Sequence, residues 1–169
     1  VGVGNATDGL QLALIAGEIE KESEVIISSH TMIATAGAIH HAGCKPIPVE
    51  AGSDSMIDYN SIEMAINEKT KAIMPTHLNG RTCDMDKISI IAEKYDLDLY
   101  EDAAQGLGSS FKGKYAGTFG VASAISFYPA KNLGAYGDVG KSGVLELVDK
   151  DENAKKGGKY WSLGSAYST

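Results

Sequence analysis

Only two cysteines, Cys44 and Cys83, occur in 169 residues, and neither has a partner at metal-ligand or redox spacing. That excludes a disulfide framework and reads as two reduced thiols in a cytoplasmic protein. No apolar run approaches the roughly 18 residues needed to cross a bilayer, so no membrane partner is expected. Positive charge is also scarce: 15 Lys and Arg against 22 Asp and Glu give a formal charge of -7. Nonspecific attraction to nucleic acid or anionic lipid is therefore disfavoured. An anionic small molecule stays admissible, because local donors override the global sign. His40 and His41 carry no acid or cysteine at metal spacing, so no metal site is expected. There is no internal repeat and no low-complexity tract, the given sequence opens without an initiator methionine, and no signal peptide is expected. Val1 opens in what reads as the middle of a domain, and the expectation is a partial chain.

What is present is a rhythm of strands and helices around one sizeable core. Apolar runs at Glu24–Ser28, Lys45–Val49, Thr70–Met74, Asp98–Asp102 and Val121–Phe127 predict strands. Gly143–Val148 predicts a further one. Pro46 and Pro48 cannot donate ladder hydrogen bonds, which puts the second strand at an edge. Helical spacing covers Leu10 to Ala16 after a cap at Asn5 or Thr7, then Thr31–Ala42, Asn60–Asn67 and Asp84–Tyr95. Val1–Gly4 reads as a turn, Phe111–Gly117 as a hairpin or loop, and the residues after Asp149 as loop or poorly fixed helix. Strands alternating with helices indicate a three-layer α/β/α fold with a mostly parallel mixed sheet.

Two stretches carry chemistry. In Ser126-Phe127-Tyr128-Pro129-Ala130-Lys131-Asn132-Leu133-Gly134 a lysine follows a strand among small residues. Glu101-Asp102-Ala103-Ala104-Gln105 ends another strand in acid. Both then lie at carboxyl ends of strands, where open α/β sheets place ligands. A lysine facing an aspartate suits pyridoxal 5'-phosphate (PLP). The amine forms a Schiff base, and the carboxylate keeps the pyridine nitrogen protonated. Glu101, one residue from Asp102 on a strand, points to the opposite face and stays outside the site. The start of the helix after Asn5 offers free backbone N–H groups, a seat for phosphate.

Together with Gly4-Asn5-Ala6-Thr7-Asp8-Gly9-Leu10, these stretches resemble the DegT/DnrJ/EryC1/StrS family of PLP-dependent sugar aminotransferases. The resemblance runs from Val1 to about Gly140. It implies an aspartate-aminotransferase-like large domain over 1–148, with 149–169 an unassigned tail. It also implies transfer of an amino group, from glutamate as donor, to a nucleotide-linked keto-sugar, in a homodimer with shared active sites. Lys131 and Asp102 become the catalytic pair. Ala6, Thr7 and Ser126 hold the phosphate, and Gln105 meets the phenolic oxygen. Met32 stands where the family has an aromatic against the ring, with His30 a possible substitute. Asn132 belongs to the pattern but acquires no role.

His77 reads as a structural hydrogen-bonder rather than a base, and Tyr128 and Tyr136 flank the lysine loop as candidate crevice residues. A PLP-dependent sugar dehydratase of the same fold is the alternative enzyme, although its known representatives carry histidine where this chain has Lys131. An inactive partial chain is another alternative. A nucleotide-binding module fits less well, because Val1–Gly4 lacks the full glycine fingerprint and its acidic ribose ligand.

Overall fold

The computed structural model describes residues 1–142, together with two short strand segments at 146–147 and 159–160. In chain order the elements are β1 (Gly2–Val3), α1 (Ala6–Ala16), β2 (Glu24–Ser28), α2 (Ile33–His41), β3 (Lys45–Val49) and α3 (Tyr59–Ala65). They continue with β4 (Thr70–Met74), α4 (Met85–Lys94), β5 (Asp98–Asp102), β6 (Ser110–Phe111), β7 (Lys114–Tyr115), β8 (Ala122–Ser126) and β9 (Gly140–Ser142). Two strands close the series, β10 (Glu146–Leu147) and β11 (Lys159–Tyr160). Seven strands form one sheet in the order β1-β9-β8-β5-β4-β2-β3. The five from β8 to β3 are parallel, and β9 runs antiparallel between β8 and β1. The sheet is therefore mixed and mostly parallel, as the sequence predicts, with the proline-bearing β3 at its edge.

Side-chain parity builds the two cores. Val25 and Ile27 of β2, Ala72 and Met74 of β4, Tyr100 of β5 and Ala122 and Ala124 of β8 face α1 and α2. The alternate residues Ile26, Ile73 and Leu99 face α3 and α4, where Ile62, Ile88, Ile91 and Ala92 meet them. Period-two alternation on strands thus fixes, one position at a time, which face each later residue can serve. Helix starts are set by short acceptors: Asn5 takes the Asp8 N–H, Asp58 that of Asn60, and Asp84 that of Lys87. No helix among the described residues is long and apolar enough to cross a membrane.

Two expectations need correction, and one strand is missing from them. Val1–Gly4 is not merely a turn, because Gly2–Val3 pairs with Lys141 and Gly140 as an outer strand. The partner strand β9 is absent from the pattern reading, since Gly140–Ser142 is too short and polar to announce itself. Gly140 earns its place there sterically: a Cβ would sit 2.5 Å from the Asn5 carbonyl carbon, so the strand could not lie against the start of α1. In the tail, Lys159–Tyr160 pairs with Glu146–Leu147 instead of being loop. The rest of the tail, and residues 143–145 and 148 of the expected last strand, lie outside the described residues.

Packing at the end of α1 carries a stability prediction. Tyr100 is fully buried and its hydroxyl has no partner among the described residues. A Cβ at Gly17 would lie 1.9 Å from that oxygen. Gly17→Ala is expected to cost about 1–3 kcal/mol by overpacking. Tyr100→Phe should be neutral or stabilising by about 1 kcal/mol, because it removes an unpaired buried hydroxyl. In the phenylalanine background Gly17→Ala should cost less. Urea midpoints of the four proteins check this, and a clear loss of stability in Tyr100→Phe alone would contradict it.

Candidate active site

A cleft of 650 Å³ opens at the carboxyl ends of β4, β5 and β8, against the start of α1. Parity and topology determine what enters it. Asp102 shares a strand face with Tyr100, and Ser126 shares one with Ala122 and Ala124, so both look toward α1. Ala6, Thr7, Met32, Asp102, Gln105, Ser126 and Lys131, the seven residues expected from the sequence, all line this cleft.

At one end stands the α1 terminus. Asn5 caps it by accepting the Asp8 N–H at 2.9 Å and donating to the Asp8 carboxylate at 3.0 Å. The N–H groups of Ala6 and Thr7 make no hydrogen bond among the described residues and form the positive end of the helix dipole. Ser126, almost wholly buried, adds a hydroxyl whose oxygen accepts the Tyr128 N–H at 3.2 Å. Its proton is free to be donated outward.

At the floor, Asp102 is 3% exposed. Thr35 Oγ1 donates to its Oδ2 at 2.6 Å, and the Ala104 N–H donates to its Oδ1 at 3.1 Å. Burial pushes this carboxyl above the ordinary aspartate range, against the pull of Thr35, Ala104, His77 and Lys131. A cation delivered to its remaining lone pairs would favour the ionised form.

Lys131, half-buried, projects from a loop closed at its base. Phe127 donates to the Val139 carbonyl and accepts from the Ala135 N–H, both at 2.8 Å. The Lys131 N–H returns to the Tyr128 carbonyl at 2.8 Å. Asn132, given no role by the sequence, ties the loop down: its Nδ2 donates to the Leu107 carbonyl at 3.0 Å. That bond joins the lysine loop to the segment just after Asp102.

Gln105 spends its Oε1 on the Asn79 N–H at 3.1 Å, which leaves its Nε2 protons as donors. Met32 is 61% exposed and borders the cleft. His30 does not border it; its Nδ1 is 2.9 Å from the Ser55 carbonyl, which removes it as a substitute for Met32. Of the flanking tyrosines, Tyr128 lines the cleft, whereas Tyr136 is fully exposed outside it.

Glu101 and His77 form a separate buried unit on the other face. His77 Nε2 lies 2.9 Å from Glu101 Oε2, and its Nδ1 accepts the Cys83 N–H at 3.2 Å. The proton must therefore sit on Nε2, and no ring nitrogen is left for catalysis. Burial pushes the neighbouring Cys83 thiol up to about 12, so it stays protonated. Sequence reasoning missed Thr31, Thr35 and Thr76 around Asp102. Thr31 and Thr35 at i and i+4 around the start of α2 were the available signal.

The site combines an amine, a buried carboxylate and the unpaired N–H groups of a helix start. Sequence comparison is in keeping with this. The sequence model of the DegT/DnrJ/EryC1/StrS aminotransferase family matches residues 1–162. A pleiotropic regulatory protein of Geobacillus stearothermophilus is 43% identical over 157 residues, covering 92% of this chain and 41% of that protein. The dTDP-3-amino-3,4,6-trideoxy-alpha-D-glucose transaminase of Streptomyces venezuelae is 43% identical over 153 residues, covering 89% and 40%. The crystal structure of S. venezuelae DesV in complex with a ketimine intermediate superposes with a TM-score of 0.80 at 42% identity, over 84% of this chain and 38% of that one. The chain thus spans about two fifths of the length of the relatives it matches. On the match across nearly its whole length, the chain belongs to the DegT/DnrJ/EryC1/StrS aminotransferase family.

Proposed function

We propose that this chain forms the cofactor-binding large domain of a PLP-dependent aminotransferase that moves an amino group from glutamate to a nucleotide-linked keto-sugar. One observation carries the reading: Lys131, Asp102 and the free end of α1 line a single cleft. The donor set fits the cofactor. Unspent N–H groups of Ala6 and Thr7 and the hydroxyls of Thr7 and Ser126 suit a phosphate. Asp102, with one lone pair left on each oxygen, suits a protonated ring nitrogen. The Nε2 protons of Gln105 suit a phenolic oxygen, and Met32 offers a polarizable thioether to a ring.

When bound, PLP supplies an aldehyde carbon for amines and a ring that takes up the electron pair left when a C–H proton departs. The chain does the rest. Lys131 Nζ is the amine that tethers the cofactor. Once freed, it takes the proton from the substrate carbon and returns it elsewhere. Asp102 keeps the ring nitrogen protonated, and the α1 terminus fixes the phosphate as an anchor. Exposed Met32, Ile33, Tyr128 and Leu133 surround the lysine loop and α2 start. They support a homodimer in which a second subunit covers them.

The test is isotopic. Purified protein with PLP, nitrogen-15 glutamate and a panel of dTDP-, UDP- and GDP-linked keto-sugars should yield a sugar carrying the heavy nitrogen, read by mass. A product that has lost a hydroxyl without gaining nitrogen would favour a dehydratase. No conversion across the panel would sink the proposal.

A further inference from the structure

Three threonines from two segments, the start of α2 and the end of β4, meet behind the floor of the cleft. Thr35 Oγ1 is 2.6 Å from Asp102 Oδ2, Thr31 Oγ1 is 2.8 Å from Thr35 Oγ1, and Thr76 Oγ1 is 2.8 Å from Thr31 Oγ1. Thr35 is fully buried, Thr76 nearly so, and Thr76 also borders the cleft. Each hydroxyl has a single proton, and that count orients the whole row. An ionised carboxylate only accepts, so Thr35 must donate to Asp102. Its oxygen then accepts from Thr31, which in turn accepts from Thr76. All three protons point toward Asp102.

We propose that this row, Thr76 to Thr31 to Thr35, is a positioning device that fixes the Asp102 carboxylate in orientation and stabilises its anionic form. The proposal rests on the reading of the cleft as a PLP site. Donors aligned in sequence polarise one another, so the last bond is stronger than an isolated one. With Thr35 on Oδ2 and the Ala104 N–H on Oδ1, turning the carboxylate would break both bonds. The row spans α2 and the ends of β4 and β5, so it also fixes these elements relative to one another. Other charged or titratable groups near Asp102 are Lys131 and His77, with Asp8, His41, Tyr128 and Asp138 on the cleft walls. None of them donates a hydrogen bond to the carboxylate among the described residues.

The experiment compares the wild type with Thr35→Val, which keeps shape and deletes the donor, and Thr35→Ser, which restores it. PLP affinity is measured by fluorescence across pH, and attachment to Lys131 by borohydride reduction and peptide mapping. Removing a donor from a carboxylate raises its pKa, so the pH below which PLP binding weakens should move up by about one unit in Thr35→Val. Affinity at neutral pH should fall about 10-fold, with serine returning both close to wild type. Thr31→Val, one bond further away, should shift both in the same direction by less, and serves if Thr35→Val does not fold. A merely structural role would lower the melting temperature and leave the pH midpoint in place. Normal attachment with an unmoved midpoint in both valine variants would overturn this inference alone. Failure of the wild type to attach PLP would overturn the cofactor reading, and this inference with it.

Discussion

Replacing Lys131 by alanine is expected to abolish covalent retention of PLP and to lower amino transfer by roughly 10⁴-fold or more. The size follows from two roles on one nitrogen. Without Nζ nothing tethers the cofactor, and the amine that moves the proton is gone. Neither neighbouring aromatic can replace it: Tyr136 lies outside the cleft, and a tyrosine hydroxyl is a poor base near neutrality. The fold should survive, because the loop is held by backbone bonds of Phe127 and Ala135 and by the Asn132 amide, not by the lysine side chain. Stability should therefore stay within about 0.5 kcal/mol of wild type. Borohydride reduction followed by dialysis reads the tether, and urea denaturation reads the fold. A Lys131→Ala protein that still retains reducible PLP would mean that the amine lies elsewhere.

What the sequence reveals of this arrangement, and what it hides, divides by the range of the interaction. The five parallel strands are legible because each is a compact apolar run between helical stretches, and parity then separates Asp102 from Glu101. The antiparallel β9 is hidden: Gly140–Ser142 has no apolar pattern, and its pairing depends on β8 and on the start of α1, far away in the chain. Asn132 is conspicuous beside Lys131 but mute, because its partner is a backbone carbonyl at Leu107 that composition cannot mark. The threonine row is legible only in its Thr31–Thr35 spacing, because its other partners are distant in the chain. Thr76 and Asp102 are 26 positions apart by their numbering, and only the sheet brings them together. His30 misleads in the opposite sense, since a ring near Met32 in sequence is drawn off by the Ser55 carbonyl.

The parity that sends Asp102 into the cleft sends Glu101 into the opposite core, and there the second large effect is expected. Glu101→Ala should cost about 3–5 kcal/mol, because several buried donors lose their acceptor at about 1–3 kcal/mol each. The carboxylate is fully buried and accepts four bonds: His77 Nε2 at 2.9 Å, the Gly117 and Gly120 N–H groups at 2.7 Å and that of Phe119 at 2.6 Å. Alanine would strand four buried donors and release the 117–120 turn that leads into β8, whose far end carries Ser126 and the lysine loop. Glu101→Gln should cost nearly as much, because an NH₂ group would face two of the same N–H donors. The pH dependence has a defined sign. Burial alone would raise the Glu101 pKa, but the His77 and backbone donors outweigh it and hold the group below the ordinary glutamate value of 4.5. Its contribution is therefore complete above that value and is lost as pH falls through the depressed folded pKa. Asp102, raised by burial, runs the other way: its contribution is complete below the ordinary aspartate range and lost as pH rises through its folded value. Two adjacent carboxylates thus contribute to stability with opposite pH dependences, because donors outweigh burial at Glu101 and burial outweighs them at Asp102. Urea denaturation at pH 7 and at pH 4 should show the penalty of Glu101→Gln shrinking in acid. A penalty that stays constant or grows as the pH falls would contradict the donor cage as the source of the stability.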